Sequence, residues 1–199
     1  MISKTWVSSC HRGSMKFQDL VGNRIQLIKI EKKILNDLHE YSTEPSLYEY
    51  FEFPPFESIK ETEKYLDKLI DRSKSGNANY WSINLTKPEK VIGTIGVLNI
   101  DWNRMNGDIG FGLSPNYWGK GYFNEAATLL LDYLFSQLNF HRISAMTRSD
   151  HDKSIMALEK IGLTKEGVLR EYYLSHDAKR HNASIYSILK REFIIKIHG

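Results

Sequence analysis

The sequence predicts an α/β domain of the α+β kind, in which helices pack on a mixed, mostly antiparallel sheet. Two patterns support this prediction. Short segments alternate between apolar and polar residues, as half-buried strands do, and longer segments repeat apolar residues at helical spacing. The elements follow one another in the order β-α-α-β-β-β-α-β-α-β-β. This order gives about seven strands and about four helices in a single domain.

The strand predictions rest on alternation and on the turns that separate the segments. Residues 87–90 contain Pro88 and resemble a hairpin turn, and residues 103–107 end in Gly107. The predicted strands are 24–30, 80–85, 91–100, 108–113, 141–148, 164–174 and 183–190.

The helix predictions rest on apolar spacing and on end signals. Ser58 is placed as the N-cap of one helix, and Gly162 follows another as a C-terminal stop. The aromatic segment 48–56 contains two consecutive prolines and is therefore predicted to be a loop. The predicted helices are 31–41, 59–74, 124–138 and 154–161.

Length and composition limit the classes of protein that this chain can be. A length of 199 residues suits one domain, predicted at 17–199, and the Ser-, Arg- and Gly-containing residues 1–16 are expected to form a flexible N-terminal arm. The net charge of +3 comes from scattered basic residues, which does not favour nucleic acid as a partner. No apolar run reaches the ~20 residues of a membrane span, so no membrane partner is expected.

Cysteine and histidine usage points to a reducing compartment and to chemistry without a metal. Cys10 is the single cysteine, so no disulfide within the chain can form. The histidines lack the spacing of metal ligands. We therefore expect a cytoplasmic protein with no metal site.

The segment 113–127 has the layout of an anion site. It leads from an alternating strand through Gly119, Lys120 and Gly121 into an amphipathic helix. Glycines lack the Cβ atom, so backbone N–H groups can face phosphate oxygens, and the helix N-terminus adds its positive end. The segment predicts a phosphate-bearing ligand.

Two common nucleotide sites do not fit this segment. A Walker loop requires Ser or Thr after Gly119-Lys120, but Gly121 is there, and its first glycine position holds Ser114. A dinucleotide fingerprint requires a third glycine where the chain has Asn124, and it follows an early first strand that is missing here.

Five sequence blocks, in order, resemble the GNAT acetyltransferase superfamily. The central block Asn116-Tyr-Trp-Gly119-Lys-Gly121 resembles its Gln/Arg-x-x-Gly-x-Gly/Ala motif, from which Asn116 departs. The pattern looks closest to the branch of the ribosomal-protein acetyltransferases RimJ and RimL, which Trp118 and Glu125 match. The resemblance covers about residues 24–193, and its other blocks are 91–96, 107–111, 154–170 and 183–193.

The resemblance implies acetyl-CoA as co-substrate and a sheet splayed between the fourth and fifth predicted strands. The glycine loop would hold the pyrophosphate. The pantetheine arm would pair with strand 108–113, where Gly110 and Gly112 share one face. The residues that the resemblance assigns to the cofactor are Phe111, Gly112, Leu113, Trp118, Gly119, Lys120, Gly121, Tyr122, Phe123, Asn124, His151 and Ser154.

The resemblance also implies direct attack of an amine on the thioester in a ternary complex. Asp108 takes the place of a family Glu and is the first candidate for the base, with a surface carboxylate as the alternative role. Being one methylene shorter, Asp108 would act directly or through water. The family's tyrosine acid is replaced by Leu158, and Ser154 matches a serine that the resemblance to the Rim branch suggests for the acid role; a simple N-cap is the alternative, and the two roles are compatible. His151 replaces a family Asn that contacts the cofactor.

The acceptor is an amine whose identity the sequence leaves open. The residues predicted to bind it are Tyr50, Phe53, Phe56 and Glu171, although the aromatic cluster could instead be core and Glu171 an ion-pair residue or second candidate base. The branch resemblance favours a protein N-terminus. A small amine (amino sugar, polyamine, amino acid or antibiotic) and a non-catalytic CoA-binding module are the alternatives. The family resemblance also implies that the protein could form a homodimer, but no apolar patch in the sequence marks an interface.

Overall fold

The computed structural model describes residues 17–198, and of these the side chains of 196–198 are not considered. The predicted arm 1–16 lies outside the described residues. The described part forms an eight-stranded sheet in the order β1-β2-β3-β4-β5-β6-β8-β7. The strands are β1 (Leu20–Val21), β2 (Ile25–Lys29), β3 (Asn79–Thr86), β4 (Glu89–Asp101), β5 (Asn106–Leu113), β6 (Arg142–Arg148), β7 (Thr164–Leu174) and β8 (Arg180–Leu189).

Six α-helices accompany this sheet in the described residues. A 3₁₀ turn precedes the first helix, another precedes the fourth, and a π turn extends the fourth over Tyr133–Gln137. The helices are α1 (Leu35–Ser42), α2 (Pro45–Tyr48), α3 (Ile59–Lys74), α4 (Tyr122–Asp132), α5 (Asp152–Lys160) and α6 (Lys190–His198).

All seven predicted strands are present, and the predicted mixed α/β architecture is confirmed. The structure adds β1, which has only two residues, and the helices α2 and α6. The predicted helix 31–41 begins instead as a 3₁₀ turn at Lys32–Ile34 before α1. The predicted helix 124–138 begins two residues earlier, at Tyr122.

Two apolar cores lie on opposite faces of the sheet. Trp81 and Ile83 of β3 pack with Leu130 and Leu131 of α4 in the larger core. The neighbouring Tyr80 points to the other face, into the smaller core. That core also contains Ile34, Leu38, Leu66 and Leu69 from the segments of α1 and α3. The alternation of β3 therefore places one helical layer on each side of the sheet.

The sheet opens between β5 and β6, as the resemblance implied for the fourth and fifth predicted strands. These two strands are parallel, whereas the other neighbouring pairs are antiparallel. They pair only at Asn106–Arg142, Gly107–Ile143 and Asp108–Ser144. Beyond Asp108 the two strands separate, which leaves residues 109–113 of β5 facing a gap.

The backbone of β5 directs hydrogen-bonding groups into this gap. Ser114 N donates to Ile92 O at 2.8 Å, and the register from Gly93–Leu113 to Leu98–Asp108 is continuous. Along an antiparallel strand, successive residues direct their N–H and C=O groups to opposite sides. Even-numbered residues of this stretch therefore face β4. The N–H groups of Phe111 and Leu113 face the gap.

Candidate active site

A cleft of about 430 Å³ opens beside residues 111–113 of β5, beyond the point where β5 stops pairing with β6. Its walls come from β5, the loop before α4, the exposed face of α5 and the segment around α2. The residues that line it are Leu47, Phe51, Phe111, Gly112, Leu113, Tyr117, Trp118, Gly119, Gly121, Phe123, Asn124, His151, Lys153, Ser154, Met156, Ala157 and Lys160.

The glycine loop forms one end of the cleft. Gly119 and Gly121 have φ angles of 72° and 81°, in the left-handed region that glycine adopts at little cost. Gly121 is the N-cap of α4, so the free N–H groups of the first helical turn begin at this point. The Trp118 indole N–H donates to Leu113 O at 2.7 Å and fixes the loop to the end of β5. The predicted anion site is therefore built as a strand, a glycine turn and a helix N-terminus.

Two of the predicted cofactor residues lie beside the cleft and not in its lining. The Lys120 Nζ atom lies 5.7 Å from the centre of the Tyr117 ring. The Tyr122 ring lies against the guanidinium of Arg24, 4.6 Å from its central carbon. The two side chains are therefore directed to partners in the protein.

The aromatic pair Phe111 and Phe123 forms part of the cleft wall where β5 meets α4. Their ring centres are 4.0 Å apart. Phe111 packs against the larger core, so at Gly110 and Gly112 the opposite face of β5 carries no side chain. A ligand that runs along the β5 edge would contact the backbone at Phe111 and Gly112.

The helix α5 supplies the opposite wall, and sequence reasoning found only part of it. Ser154 is 8% exposed and lines the cleft, as predicted for a cofactor residue. Lys153, Met156, Ala157 and Lys160 also line it, at the spacing i, i+3, i+4, i+7 of one helix face. This spacing is present in the sequence, but the helix prediction rests on the buried face of the helix alone. Leu47, Phe51 and Tyr117 are further lining residues that sequence reasoning did not assign.

His151 presents an unpaired nitrogen at the start of α5. Its ring stacks on Tyr50, with ring centres 3.8 Å apart and planes 3° from parallel. Its Nδ1 atom is buried and has no hydrogen-bond partner among the described residues. Burial lowers the pKa of His151 below 6.5, against the opposing effect of the Asp150 and Glu49 carboxylates. A neutral imidazole near pH 7 can exchange hydrogen bonds with an amide of a bound ligand.

The lowered pKa predicts a pH-dependent loss of stability. Below pH 6.5 the unfolded chain takes up a proton at His151 that the folded protein takes up only at lower pH. The free energy of unfolding is therefore expected to decrease as the pH falls below 6.5. The variant His151→Gln should show a shallower decrease in urea titrations across this range. A control variant, His176→Gln at an exposed site, should keep the wild-type slope. Equal slopes for all three proteins would contradict the burial of a neutral His151.

Asp108 lies where β5 and β6 part. The Asn99 amide donates to Asp108 Oδ2 at 2.8 Å. Asn99 has a φ of 49° within an irregularity of the β4–β5 register, which aims its side chain at the carboxylate. Asp108 shares the face of Gly110 and Gly112 but does not line the donor cleft. Its role as base stays a prediction, with a placement suited to an acceptor that enters from the face opposite α4.

The aromatic residues predicted for the acceptor divide into two groups. Tyr50 reaches the cleft wall by stacking on His151, and the Arg148 guanidinium lies 5.1 Å from the centre of the Tyr50 ring. Phe53 and Phe56 instead stack on each other, 5.9 Å apart, and pack with the rings of Tyr48 and Tyr65. This second group forms part of the wall behind Phe51 and does not itself line the cleft.

Glu171 lies outside the cleft, in a shallow surface groove formed by residues 168–172 of β7. Its φ is 53°, and its N–H donates to Asn182 Oδ1 at 2.9 Å in an irregular stretch of the β7–β8 pairing. The structure thus does not bring Glu171 to the residues that line the cleft.

Two features are absent from the described residues. Residues 17–198 contain no helix long and apolar enough to cross a membrane. They also contain no group of three or more His, Cys, Asp or Glu side chains arranged to hold a metal ion.

Comparison with known proteins gives the class of protein that this fold and cleft define. Residues 24–164 match the acetyltransferase (GNAT) domain. The chain is 34% identical over 178 residues to the uncharacterized N-acetyltransferase p20 of Bacillus licheniformis, which covers 88% of this chain and 98% of that protein. The protein is an N-acyltransferase with acetyl-CoA as donor. The chain belongs to the GNAT acetyltransferase family.

Solved structures share the same fold. A GNAT-family acetyltransferase from Bacillus anthracis superposes with a TM-score of 0.77 at 25% identity, over 87% of this chain and 99% of that one. The spermidine N-acetyltransferase of Vibrio cholerae, solved in complex with CoA and spermine, gives a TM-score of 0.74 at 21% identity, over 86% and 98% of the two chains.

Proposed function

We propose that the protein transfers the acetyl group of acetyl-CoA to a primary amine by direct attack in a ternary complex. The observation that supports this most strongly is the continuity of the cleft. It runs from the glycine loop, which suits a pyrophosphate, along the open edge of β5 as far as Phe111, and the edge continues from there to Asp108, where β5 and β6 part. A donor and an acceptor can meet at that point from opposite faces of the sheet.

The donor half of the proposal rests on the open edge of β5. The pantetheine arm carries two amides, so it can pair with the N–H and C=O groups that β6 leaves unoccupied beyond Asp108. A gap-facing N–H of Phe111 or Leu113 would polarise the thioester carbonyl. Backbone donors that point at a developing oxyanion stabilise it more strongly in a site from which bound ligands displace water than in bulk water.

The chemical step follows from the groups at the two ends of this edge. The lone pair of the neutral amine forms a C–N bond with the thioester carbon, and the C–S bond then breaks. The amine proton passes to Asp108, directly or through water, and then to solvent, while the leaving thiolate takes a proton from the Ser154 hydroxyl, which regains one from solvent. Ser154 lines the cleft, and Asp108 lies on the face of β5 away from α4, so the two protons move on different sides of the sheet.

The acceptor that we favour is an α-amine of a protein N-terminus, as in the RimJ and RimL branch. Loss of a proton at pH 7 costs about 1 kcal/mol for an α-amine and about 4–5 kcal/mol for a lysine side chain, from their reference pKa values. A short carboxylate such as Asp108, acting through water, is sufficient for the first amine and poor for the second.

A small polycationic amine is the second candidate, because two carboxylates act on the Tyr50–His151 stack: Glu49, and Asp150, which pairs with Arg148. Asp150 and Glu49 influence the titration of both Tyr50 and His151, which places their negative charges beside this stack. The spermidine acetyltransferase with a similar fold acts on such an amine.

A panel of amines with thiol release as readout tests the proposal and separates the two candidates. The panel contains peptides with free α-amines, the same peptides with blocked N-termini, spermidine, an amino sugar and an amino acid. We expect acetyl-CoA to bind in calorimetry and a free α-amine peptide to be the best acceptor. A preference for spermidine would move the assignment to the second candidate. Absence of acetyl-CoA binding at high micromolar concentration would contradict the proposal as a whole.

A further inference from the structure

Arg24 connects the turn between β1 and β2 to the glycine loop, about one hundred residues away in sequence. Its Nε atom forms an ion pair with Glu125 Oε2 at 2.8 Å, and its Nη1 atom donates to Lys120 O at 3.1 Å. Its guanidinium also lies against the Tyr122 ring, 4.6 Å from the ring centre. These three contacts hold the Arg24 side chain against the glycine loop and the first turn of α4.

Glu125 completes this arrangement from the helix side. It accepts the backbone N–H of Arg24 at 2.7 Å in addition to the guanidinium, and its side chain is only 18% exposed. Burial raises the pKa of Glu125, but the hydrogen bonds from Arg24 outweigh burial and lower the pKa overall. The carboxylate is therefore charged at neutral pH and balances the charge of Arg24. Because the two charges balance, the pair orients the glycine loop without adding net positive charge to it.

The bond to Lys120 O determines the direction of the next N–H group. In a trans peptide the C=O and the following N–H point in opposite directions. Because the Lys120 carbonyl points at Arg24, the Gly121 N–H points away from Arg24, and Gly121 lines the cleft. The guanidinium also lies close behind the loop, with Nη2 3.4 Å from the place that a Cβ atom of residue 121 would occupy.

We propose that Arg24 is a positioning residue for the coenzyme: it holds the Lys120–Gly121 peptide so that the Gly121 N–H faces the pyrophosphate. This inference rests on the proposed function, since it assigns the pyrophosphate to the glycine loop. The bridge requires a planar fork that bonds Glu125 and Lys120 O together, which arginine offers and lysine does not. Arg24 contacts the loop and not the reacting atoms, so the acetyl-transfer step itself should not depend on it.

The test compares two ligands that differ in the pyrophosphate. Dissociation constants of CoA and of pantetheine, which ends before the pyrophosphate, are measured by calorimetry for the wild type and for Arg24→Gln and Arg24→Lys. We expect both variants to bind CoA about 10- to 100-fold more weakly, the effect of losing charged hydrogen bonds, and to bind pantetheine as the wild type does. Saturating acetyl-CoA should restore the wild-type kcat.

Controls distinguish positioning from a general structural effect. Arg104→Gln makes the same change at a side chain that is 80% exposed and pairs with Asp101, and it should leave both constants unchanged. Glu125→Gln serves if the Arg24 variants do not fold, and it should show the same selective loss for CoA. Parallel weakening of CoA and pantetheine, unchanged CoA binding, or full rescue by lysine would each overturn the inference. A wild type that binds CoA without any turnover would contradict the proposed function and still leave this comparison decisive.

Discussion

Replacing Gly112 with valine should abolish acetyl transfer and leave the fold intact. Gly112 lines the cleft on β5, and a Cβ atom added there would meet only Thr94 Oγ1, at 4.0 Å. Its φ does not fall in the left-handed region, and valine favours strands, so the folded chain can accept the substitution. The branched side chain would then project into the cleft along the part of β5 that the proposal assigns to the donor, and would displace the bound thioester.

The measurement combines thiol-release kinetics with thermal unfolding. We expect kcat/KM of Gly112→Val to fall at least about 100-fold, because a displacement of about 1 Å at the reacting atoms has an effect of this size. The melting temperature should remain within a few degrees of the wild type. Gly167→Val is the matched control, since a Cβ atom at Gly167 on β7 would have no atom within 4 Å, and it should keep full activity. An active Gly112→Val protein would place the reaction elsewhere.

Asp108→Asn is expected to lower kcat by about 10²- to 10⁴-fold, the usual contribution of a general base. The amide keeps the size of the carboxylate and can still accept the bond that Asn99 donates, so the local structure should persist. What is lost is the acceptor for the amine proton. The KM for acetyl-CoA should not change, because Asp108 does not line the donor cleft.

Steady-state kinetics at saturating acetyl-CoA, with an α-amine peptide as acceptor, measures this effect. Raising the pH should recover part of the lost activity, because a larger fraction of the acceptor amine is then neutral without help from the enzyme. Asp71→Asn, at a side chain that is 72% exposed on α3, is the control and should behave as the wild type. An unchanged kcat for Asp108→Asn would show that another group is the base, and Glu171→Gln would be the next variant to test.

The strands could be predicted from the sequence because successive residues of each strand point to opposite faces of the sheet. The resulting alternation of side chains is visible within a few consecutive residues. Tyr80 and Trp81, for example, are neighbours that enter different cores. β1 was not predicted because it has only two residues, too few to show an alternation of apolar and polar side chains. α2 is a single turn of four residues, and α6 begins directly after β8, inside the predicted end of the last strand. Such short or abutting elements are determined by tertiary packing and not by their own sequence.

In the candidate site, too, the sequence predicted the features that are local in the chain and missed those that depend on distant contacts. The glycine loop was predictable because its strand, its glycines and its helix are consecutive in the chain. Arg24 was not, since it meets Glu125 across 101 positions and nothing in the local pattern marks the pair. The aromatic segment that contains Phe53 and Phe56 was predicted correctly as irregular. Composition alone could not show that these two rings would pack on Tyr65 behind the cleft wall.

The central claim is that acetyl-CoA binds along the open edge of β5, with its pyrophosphate at the glycine loop. Backbone amide chemical shifts during an acetyl-CoA titration test this claim most directly. We predict that the largest shifts occur at Phe111, Leu113, Gly119 and Gly121, with little change at residues 168–172 of β7. Shifts that leave the Gly119 and Gly121 amides unchanged, or that cluster on β7, would contradict the account.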